Sequence, residues 1–571
     1  MATDLNIMFA QEQTFIEKMD SQNKTLKQIE SVLRTGLNQN PALDDIYVAM
    51  LDGTRDTYRR VMRSWFLANG AETASAEGLT ALCDKWYRIT RKDWTGGQTY
   101  TQPTDSTAPS TGENFGDNAG LNCTPSTATV KNTDDYEGLP LFAVTDCNWI
   151  LSDTGEILIT AIDGITSGFE RYNPEKFVGV LQQSCFVIRS EGDTTYSVGV
   201  SAKRVAGYDY CRPLPESVKK DGSMREWVCH SKYQAGVVNS KPTACSGIAP
   251  MTASHNSIVS DAHIRGSYYS GTCHCDYDFL ELMKQVKYSL ASDGLLQGCC
   301  DYYKSAVIAR AESGVKRVLL SSNPGFIVGS TVKVGTATTD SQKTDRNLTA
   351  LAHGKVRSIE TVTVEGAAYT AINLDVPSTF TTVLGSSISD GQSVIMSMPW
   401  ISGSTDIVDA NDGGIRPTDS AYPVKLQGIE YMIGQYEVLG DTILQYESDG
   451  QYDYIIADAT KGATSITSDF VKHRGTPIPS SSSWQYIKKM GYDGAFHPKV
   501  TGGSSSIGHR DSAYILAATS GQYELLLFGN LSYGAGAAGL SCSNRGNGLS
   551  NRGWDIGSRL SPNGNRGEWS A

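Results

Sequence analysis

No stretch of the chain approaches the roughly 18 consecutive apolar residues that a membrane-spanning helix needs, so no membrane insertion is expected. The opening residues, Met1 to Ala10, lack a basic segment followed by an apolar run. The expectation is therefore synthesis in a cytoplasm without export by the usual route. Positive charge is also short: 49 Lys and Arg against 61 Asp and Glu leave −12 at pH 7. That balance argues against a nucleic-acid binder acting through a net basic field. Charged residues reach only 19%, which argues against a cytosolic housekeeping enzyme of high charge density. Twelve cysteines in 571 residues are too dilute for a disulfide scaffold, and buried, reduced thiols are expected. There is no Gly-x-Ser-x-Gly elbow and no phosphate-binding loop, and the eight histidines are scattered. Sixty-one acidic residues offer no way to single out the two carboxylates of a glycosidase.

What is present is glycine, 57 residues, and tyrosine, 28 residues, a composition of short strands and tight turns rather than disorder. At about 150 residues per domain the length implies roughly three or four units. Residues 1–38 carry a seven-residue pattern through Leu5, Met8, Phe15, Met19, Leu26, Ile29 and Leu33, with Glu12 and Gln22 on the same seam. Such spacing suits a coiled-coil oligomerisation or attachment segment, and equally an amphipathic helix lying on its own domain. Residues 39–94 read as helical, with Tyr58, Val61, Met62, Trp65 and Phe66 at helical spacing and a further helix over Leu79 to Tyr87. Residues 95–137 are rich in Thr, Ser, Gly and Pro and read as a linker or long surface loop. From 138 to 314 short β-like runs dominate (Leu141 to Val144, Ile157 to Ile162, Phe177 to Leu181, Phe186 to Arg189, Tyr196 to Val200). They are interrupted by one helix with Phe279, Leu282, Met283 and Val286 on a common face. Five β-like runs separated by turn residues fill 315–400, which reads as an inserted small all-β domain. The mixed pattern resumes over 401–571.

The last forty residues are the most informative. Glycine recurs from Gly529 to Gly567, interleaved with Asn, Ser, Arg, Tyr, Trp and Asp. Two short strands are expected, Gly539 to Cys542 and Trp554 to Leu560, the second placing Trp554, Ile556 and Leu560 on one face, with a loop between them. Glycine permits tight turns while Asn, Arg, Tyr and Trp supply hydrogen bonding and low-entropy contact area, which is binding-surface chemistry.

Within this stretch Gly529-Asn530, Gly534, Ala538-Gly539-Leu540 and Ile556-Gly557-Ser558-Arg559-Leu560 follow an apolar strand. The block from Gly502 to Ser561 resembles the carboxy-terminal half of the C-type-lectin-like fold shared with formylglycine-generating-enzyme-like proteins. More closely, it resembles phage tail adhesins and the variable proteins of diversity-generating retroelements. Weaker similarity extends over about 138 to 435 and does not include the first helices, the 95–137 segment or the 315–400 unit. The implied fold class is α+β: a C-type-lectin-like body, 138–314 and 401–571, carrying the inserted β domain and preceded by N-terminal helices.

The resemblance implies a rigid scaffold whose final loop and strand present Tyr533, Asn544, Arg545, Asn547, Ser550, Asn551, Arg552, Trp554 and Asp555 to a bacterial surface glycan or protein receptor. Leu540, Ile556, Leu560 and the glycines would hold shape. The implied protein is a receptor-binding tail fibre or adhesin of a tailed phage or prophage, a homotrimer located in the virion with other virion proteins as partners. A tail-associated polysaccharide depolymerase and a head-attached fibre are the alternatives. The enzymatic branch of the fold needs paired reactive cysteines near the end, where this chain has only Cys542, a residue expected in the core. No catalytic role, metal or cofactor is expected. Cys273, His274 and Cys275 with Cys299 and Cys300 fit no familiar zinc spacing. Asp406, Asp409, Asn411 and Asp412 fail the EF-hand pattern at Gly413 and Ser420 and read as a solvated turn. His509-Arg510-Asp511 reads as surface.

Overall fold

The computed structural model describes residues 44, 47, 48, 50, 51, 53–101, 111–288, 294–478, 481–502, 504, 509, 511–534 and 538–567. The heptad seam from Leu5 to Leu33 lies outside the described residues. The protein is mostly β, with 38% strand and 15% helix, several antiparallel sheets and a few helices, the first of them near the N-terminus.

Helices α1 (Arg55–Ala68) and α2 (Ala76–Ile89) start where a hydroxyl can take an orphan amide. Thr54 Oγ1 accepts from Thr57 N at 3.2 Å, and Ser75 Oγ from Gly78 N at 3.2 Å. Their apolar stripes bury Tyr58, Trp65, Phe66 and Trp86 in an aromatic cluster, where Trp86 Nε1 donates to the Tyr58 hydroxyl at 2.9 Å. Each buried ring contributes about 2 kcal/mol of transfer free energy. The helices lie on a four-stranded sheet in the order Ile157–Ile162, Thr145–Leu151, Phe177–Gln183, Trp227–Ser231, with which they share one apolar cluster. The run Leu141 to Val144 precedes this sheet as turn and irregular chain; the strand begins at Thr145.

The segment expected as a loop at 95–137 begins instead with a sheet strand. Thr95–Thr101 lies between Glu113–Gly116 and Thr195–Ser201 in a five-stranded sheet completed by Phe186–Glu191 and Tyr210–Pro213. Its glycines mislead because they mark close approach, not a turn. A Cβ on Gly97 would stand 2.2 Å from Val198 O and 2.4 Å from Gly199 Cα. Its polar residues mislead because they serve another element. Gln98 Nε2 and Asn118 Nδ2 each donate to Val286 O at 3.0 Å, and the Tyr100 hydroxyl donates to Gln285 O at 3.1 Å. These are the final carbonyls of α4 (His274–Tyr288), the helix after α3 (His255–Ala262), and a helix cannot satisfy them by itself.

Helix α4 is buried along its whole length and shares one apolar cluster with inner faces of the five-stranded sheet and of a nine-stranded one. Its polar residues are matched. His274 N donates to Asp441 Oδ1 at 2.9 Å, Lys284 Nζ to Ser541 Oγ at 2.7 Å, and Lys287 Nζ to Asp134 and Asp412 at 3.0 and 2.6 Å. Residues 305–397 build a six-stranded antiparallel sheet in the order Ser305–Val307, Gln392–Ser397, Thr331–Ala337, Thr349–Val364, Ala367–Asp375, Arg317–Leu320. Its apolar cluster, including Val318, Val332, Val356, Ile372 and Ile395, is its own.

The nine-stranded sheet runs Val471–Ile478, Gly450–Ile455, Tyr436–Glu447, Gly521–Leu527, Ser543–Gly548, Ser512–Ile515, Ser483–Tyr492, Phe496–Thr501, with Ile556–Gly557 added in parallel beside Tyr436–Glu447. The strands expected at Gly539 to Cys542 and Trp554 to Leu560 are not formed as such. The Asn/Gly-rich piece Ser543–Gly548, expected as a loop, is the strand, and only Ile556–Gly557 of the second enters a ladder. Two neighbouring strands on either side of Ser543–Gly548 supply the pairing that its own residues do not advertise. None of the twelve cysteines is in a disulfide, and ten are buried.

Candidate functional site

Strand Ser543–Gly548 fixes the geometry of the C-terminal residues. It pairs antiparallel with Gly521–Leu527 and parallel with Ser512–Ile515, so alternate side chains point to opposite faces. Arg545 falls on the inner face, 2% exposed, where Nη1 donates to Asp453 Oδ1 at 2.9 Å and to Gln451 Oε1 at 3.1 Å. Arg545 is therefore not a displayed residue. Its guanidinium ties the strand to Gly450–Ile455, and the expectation from sequence is corrected on that ground.

Asn544 and Asn547 are half-buried. Asn544 is paired across the sheet with Tyr514 and Leu526, and Asn547 with Glu524. Glu524 is fully buried and accepts from His255 N at 2.9 Å. Burial pushes its carboxyl up to about 8, against hydrogen bonds from His255 N and Asn547 that pull the other way.

Beyond the strand the chain turns outward. Ser550, Asn551 and Arg552 are exposed. Asn551 N closes the turn on Gly548 O at 2.9 Å, Ser550 Oγ accepts from Asn256 Nδ2 at 2.9 Å, and Arg552 Nε donates to Thr252 Oγ1 at 3.0 Å. The chain then returns inward. Asp555 is half-buried, accepts from Asn530 Nδ2 at 2.8 Å, and is held above the usual carboxylate range by burial. Ile556 and Leu560 are buried in the apolar cluster beneath α1 and α2, and Leu540 in that of α4. A Cβ on Gly557 would meet the Gln435 side chain and stand 2.8 Å from the Met251 backbone carbonyl, which cannot swing away as a side chain would. Trp554 does not share the face of Ile556 and Leu560. It turns to the six-stranded sheet, where its ring lies 5.9 Å from that of Tyr303 and 4.8 Å from the Arg346 guanidinium carbon.

Tyr533 joins another group. Its ring is 5.3 Å from Trp484 and 6.0 Å from Tyr436, and Trp484 is 5.5 Å from Tyr514. Trp484, Tyr514 and Tyr533 are all half-buried. The fold thus sorts the nine sequence-predicted residues into a buried tie (Arg545), half-buried residues on the sheet (Asn544, Asn547) and in loops (Tyr533, Trp554, Asp555), and an exposed turn (Ser550, Asn551, Arg552). Trp484, Tyr514, Tyr303 and Arg346 were not anticipated. The strand pattern of 483–492 could have flagged Trp484, whereas Tyr303 and Arg346 reach Trp554 only through tertiary packing.

Other clusters resolve differently from their sequence reading. The 406–412 turn is only partly solvated. Asp406 accepts from the Tyr233 hydroxyl at 2.7 Å, and Asp412 is buried against Lys287, while Asp409 meets Arg55 at 2.9 Å. Cys123, Asp134 and Asp412 place ligand atoms within 4.8 Å of one another, but the Lys287 ammonium already bridges the two carboxylates. Cys299 packs with Tyr302, Trp400 and Leu531, in a cluster that does not include Cys273 or Cys275. His509 and Asp511 are buried, not superficial, with Asp511 Oδ2 accepting from Ser541 N at 3.1 Å.

A cavity of about 530 Å³ lies elsewhere, lined by Tyr210, Arg212, His274, Asp278, His473 and Arg566 among others, and by none of the nine predicted residues. Burial holds Asp278 well above the carboxylate range and brings His473 down to about 4. No protein-family model matches the chain, and no curated protein matches its sequence.

Proposed function

We propose that the protein is a virion structural protein of a tailed phage or prophage, a receptor-binding tail fibre or adhesin whose C-type-lectin-like body presents its last loop to a bacterial surface ligand. The observation that supports this reading best is the contrast along 543–566. Ser550, Asn551 and Arg552 are exposed, while Arg545 before them and Ile556 to Arg566 after them are buried in a hydrogen-bonded frame. A turn clamped at both ends loses little conformational freedom on binding, so its polar side chains can be replaced without disturbing the scaffold. The ligand is a surface glycan or protein, and several copies per particle multiply a weak single-site affinity.

The test is adsorption of the purified full chain to host cells. N551A/R552A is expected to lose cell binding with the melting temperature within about 2 °C of the parent. Unchanged adsorption would overturn the assigned surface.

A second reading, the tail-associated depolymerase, is favoured by the Asp278 cavity, since burial holds this carboxyl well above the usual range and a general acid needs its pKa raised in that direction. Release of new reducing ends from host envelope by the parent, and its loss in Asp278→Asn, would establish that reading in place of the first.

A further inference from the structure

Seven arginines are buried among the described residues: Arg55, Arg189, Arg225, Arg346, Arg545, Arg559 and Arg566. Six have a carboxylate within 4.0 Å: Asp409, Glu191, Glu156, Asp453, Glu437 and Asp441 in that order. Arg346 has none among the described residues. It is 2% exposed, its Nη2 is 3.4 Å from Ser397 Oγ, and its Nε and Nη1 are buried with no hydrogen-bond partner among those residues. Burial with no acid to offset it lowers this guanidinium to about 10, a charge that still cannot be shed near neutral pH. Lysine offers no parallel, because Lys425, buried without a carboxylate, is brought down to about 7 and can lose its proton.

The surroundings add positive charge instead of cancelling it. Lys333 Nζ donates to the Arg346 carbonyl at 3.2 Å. It has no carboxylate within ion-pair distance among the described residues. In a chain of net charge −12 this is a local excess of the opposite sign. What Arg346 does have is aromatic. The Tyr303 ring lies 4.0 Å from its guanidinium carbon and the Trp554 ring 4.8 Å. Cation–π attraction offsets part of the desolvation cost but leaves the N–H edge unsatisfied. Tyr303 is 37% exposed and Trp554 half-buried, so the site lies just beneath the surface.

We propose that Arg346, Tyr303 and Trp554 form a subsite for an acidic saccharide, with the guanidinium taking an oxyanion substituent and the two rings taking the face of the sugar. The guanidinium fork matches carboxylate and phosphate geometry. Because Trp554 is carried on the loop after Arg552, the subsite deepens the receptor-binding reading and rests on it. Uptake moves the indole far enough to open the guanidinium edge. Segments flanking strands of the six-stranded sheet thereby supply two of the three recognition groups.

The test is calorimetric titration of the full chain with D-glucuronate, D-glucose 6-phosphate, inorganic phosphate and D-glucose. At least one acidic sugar is expected to bind tenfold or more tighter than glucose and tighter than phosphate. Arg346→Met should bring it down to the glucose level, and Arg346→Lys, which loses the fork and, buried without an acid, can also shed its proton, should weaken it at least fivefold. Arg346→Met removes an uncompensated buried charge at similar volume, so its melting temperature is expected to hold or rise. Equal binding of glucose and glucuronate, phosphate binding as tightly as either acidic sugar, or indifference to both substitutions overturns the subsite. Cell adsorption separates the two claims. Adsorption that survives with no acidic-sugar binding leaves the receptor reading standing without the subsite. Arg346-dependent sugar binding without adsorption leaves the subsite without the receptor reading.

Discussion

Arg545 Nη1 lies 2.9 Å from Asp453 Oδ1, with both side chains 2% exposed. This pair joins the strand that precedes the exposed turn to a strand nearly a hundred residues earlier. Breaking a buried ion pair from one side strands the other charge, so Arg545→Ala is predicted to cost about 3 kcal/mol. Replacing both partners, Arg545→Met with Asp453→Leu, should cost less than Arg545→Ala. Chemical denaturation of the two variants checks the order, and a double variant worse than the single one would show that the guanidinium acts through other contacts.

Glu524 makes stability depend on pH with a definite sign. Its carboxyl is raised from 4.5 to about 8 by burial, so the folded chain holds a proton there that the unfolded chain has released across this interval. The folded state therefore loses stability as pH rises from about 4.5 to about 8, and the contribution is constant outside that window. Glu524→Gln, which keeps the shape and cannot ionise, is predicted to be more stable than the parent at pH 8.5 and to differ little at pH 4. Thermal unfolding of both proteins across the range measures the difference, and a gap independent of pH would refute the assignment.

Much of this organisation is legible in the sequence and some of it is not, for identifiable reasons. Helical spacing picks out α1 and α2 because their buried faces are apolar, and α4 because Phe279, Leu282, Met283 and Val286 share one face although the whole helix is buried. The runs of 315–398 fall on strands of the six-stranded sheet for the same reason. Thr95–Thr101 is missed because its glycines permit contact with Val198 and Gly199, and its Gln98 and Tyr100 cap α4 from a distance. Ser543–Gly548 is missed because its place between two other strands is a tertiary fact. Arg545 looks displayed because its partners, Asp453 and Gln451, are far away in sequence.

Gly97 provides a direct test of the corrected strand. A side chain there would enter the backbone of Val198 and Gly199, at 2.2 and 2.4 Å, and neither can yield as a flexible side chain would. Gly97→Val is predicted to cost at least about 2 kcal/mol through overpacking and sheet displacement. Gly164→Ala is a reference outside the sheet. That position has open space but a φ of +70°, so it should cost only about 1 kcal/mol from backbone strain. A Gly97→Val protein as stable as the Gly164→Ala one would return the segment to a loop.

Oligomerisation is predicted from the seam of Leu5, Met8, Phe15, Met19, Leu26, Ile29 and Leu33, with adsorption as its consequence. Light scattering of the full chain should give three times 61.6 kDa. A carboxylate at two neighbouring seam positions, Leu26→Glu with Ile29→Glu, puts charge where a knob must enter an apolar hole, and should yield the single-chain mass. The seam is assigned to association alone, so the circular-dichroism melting of the variant should follow the parent. Adsorption should fall by more than tenfold, because linked sites convert later binding events into intramolecular ones and that gain vanishes in a monomer. A parent that is already monomeric removes the trimer, and a monomeric variant that adsorbs as well as the parent removes avidity as the source of attachment.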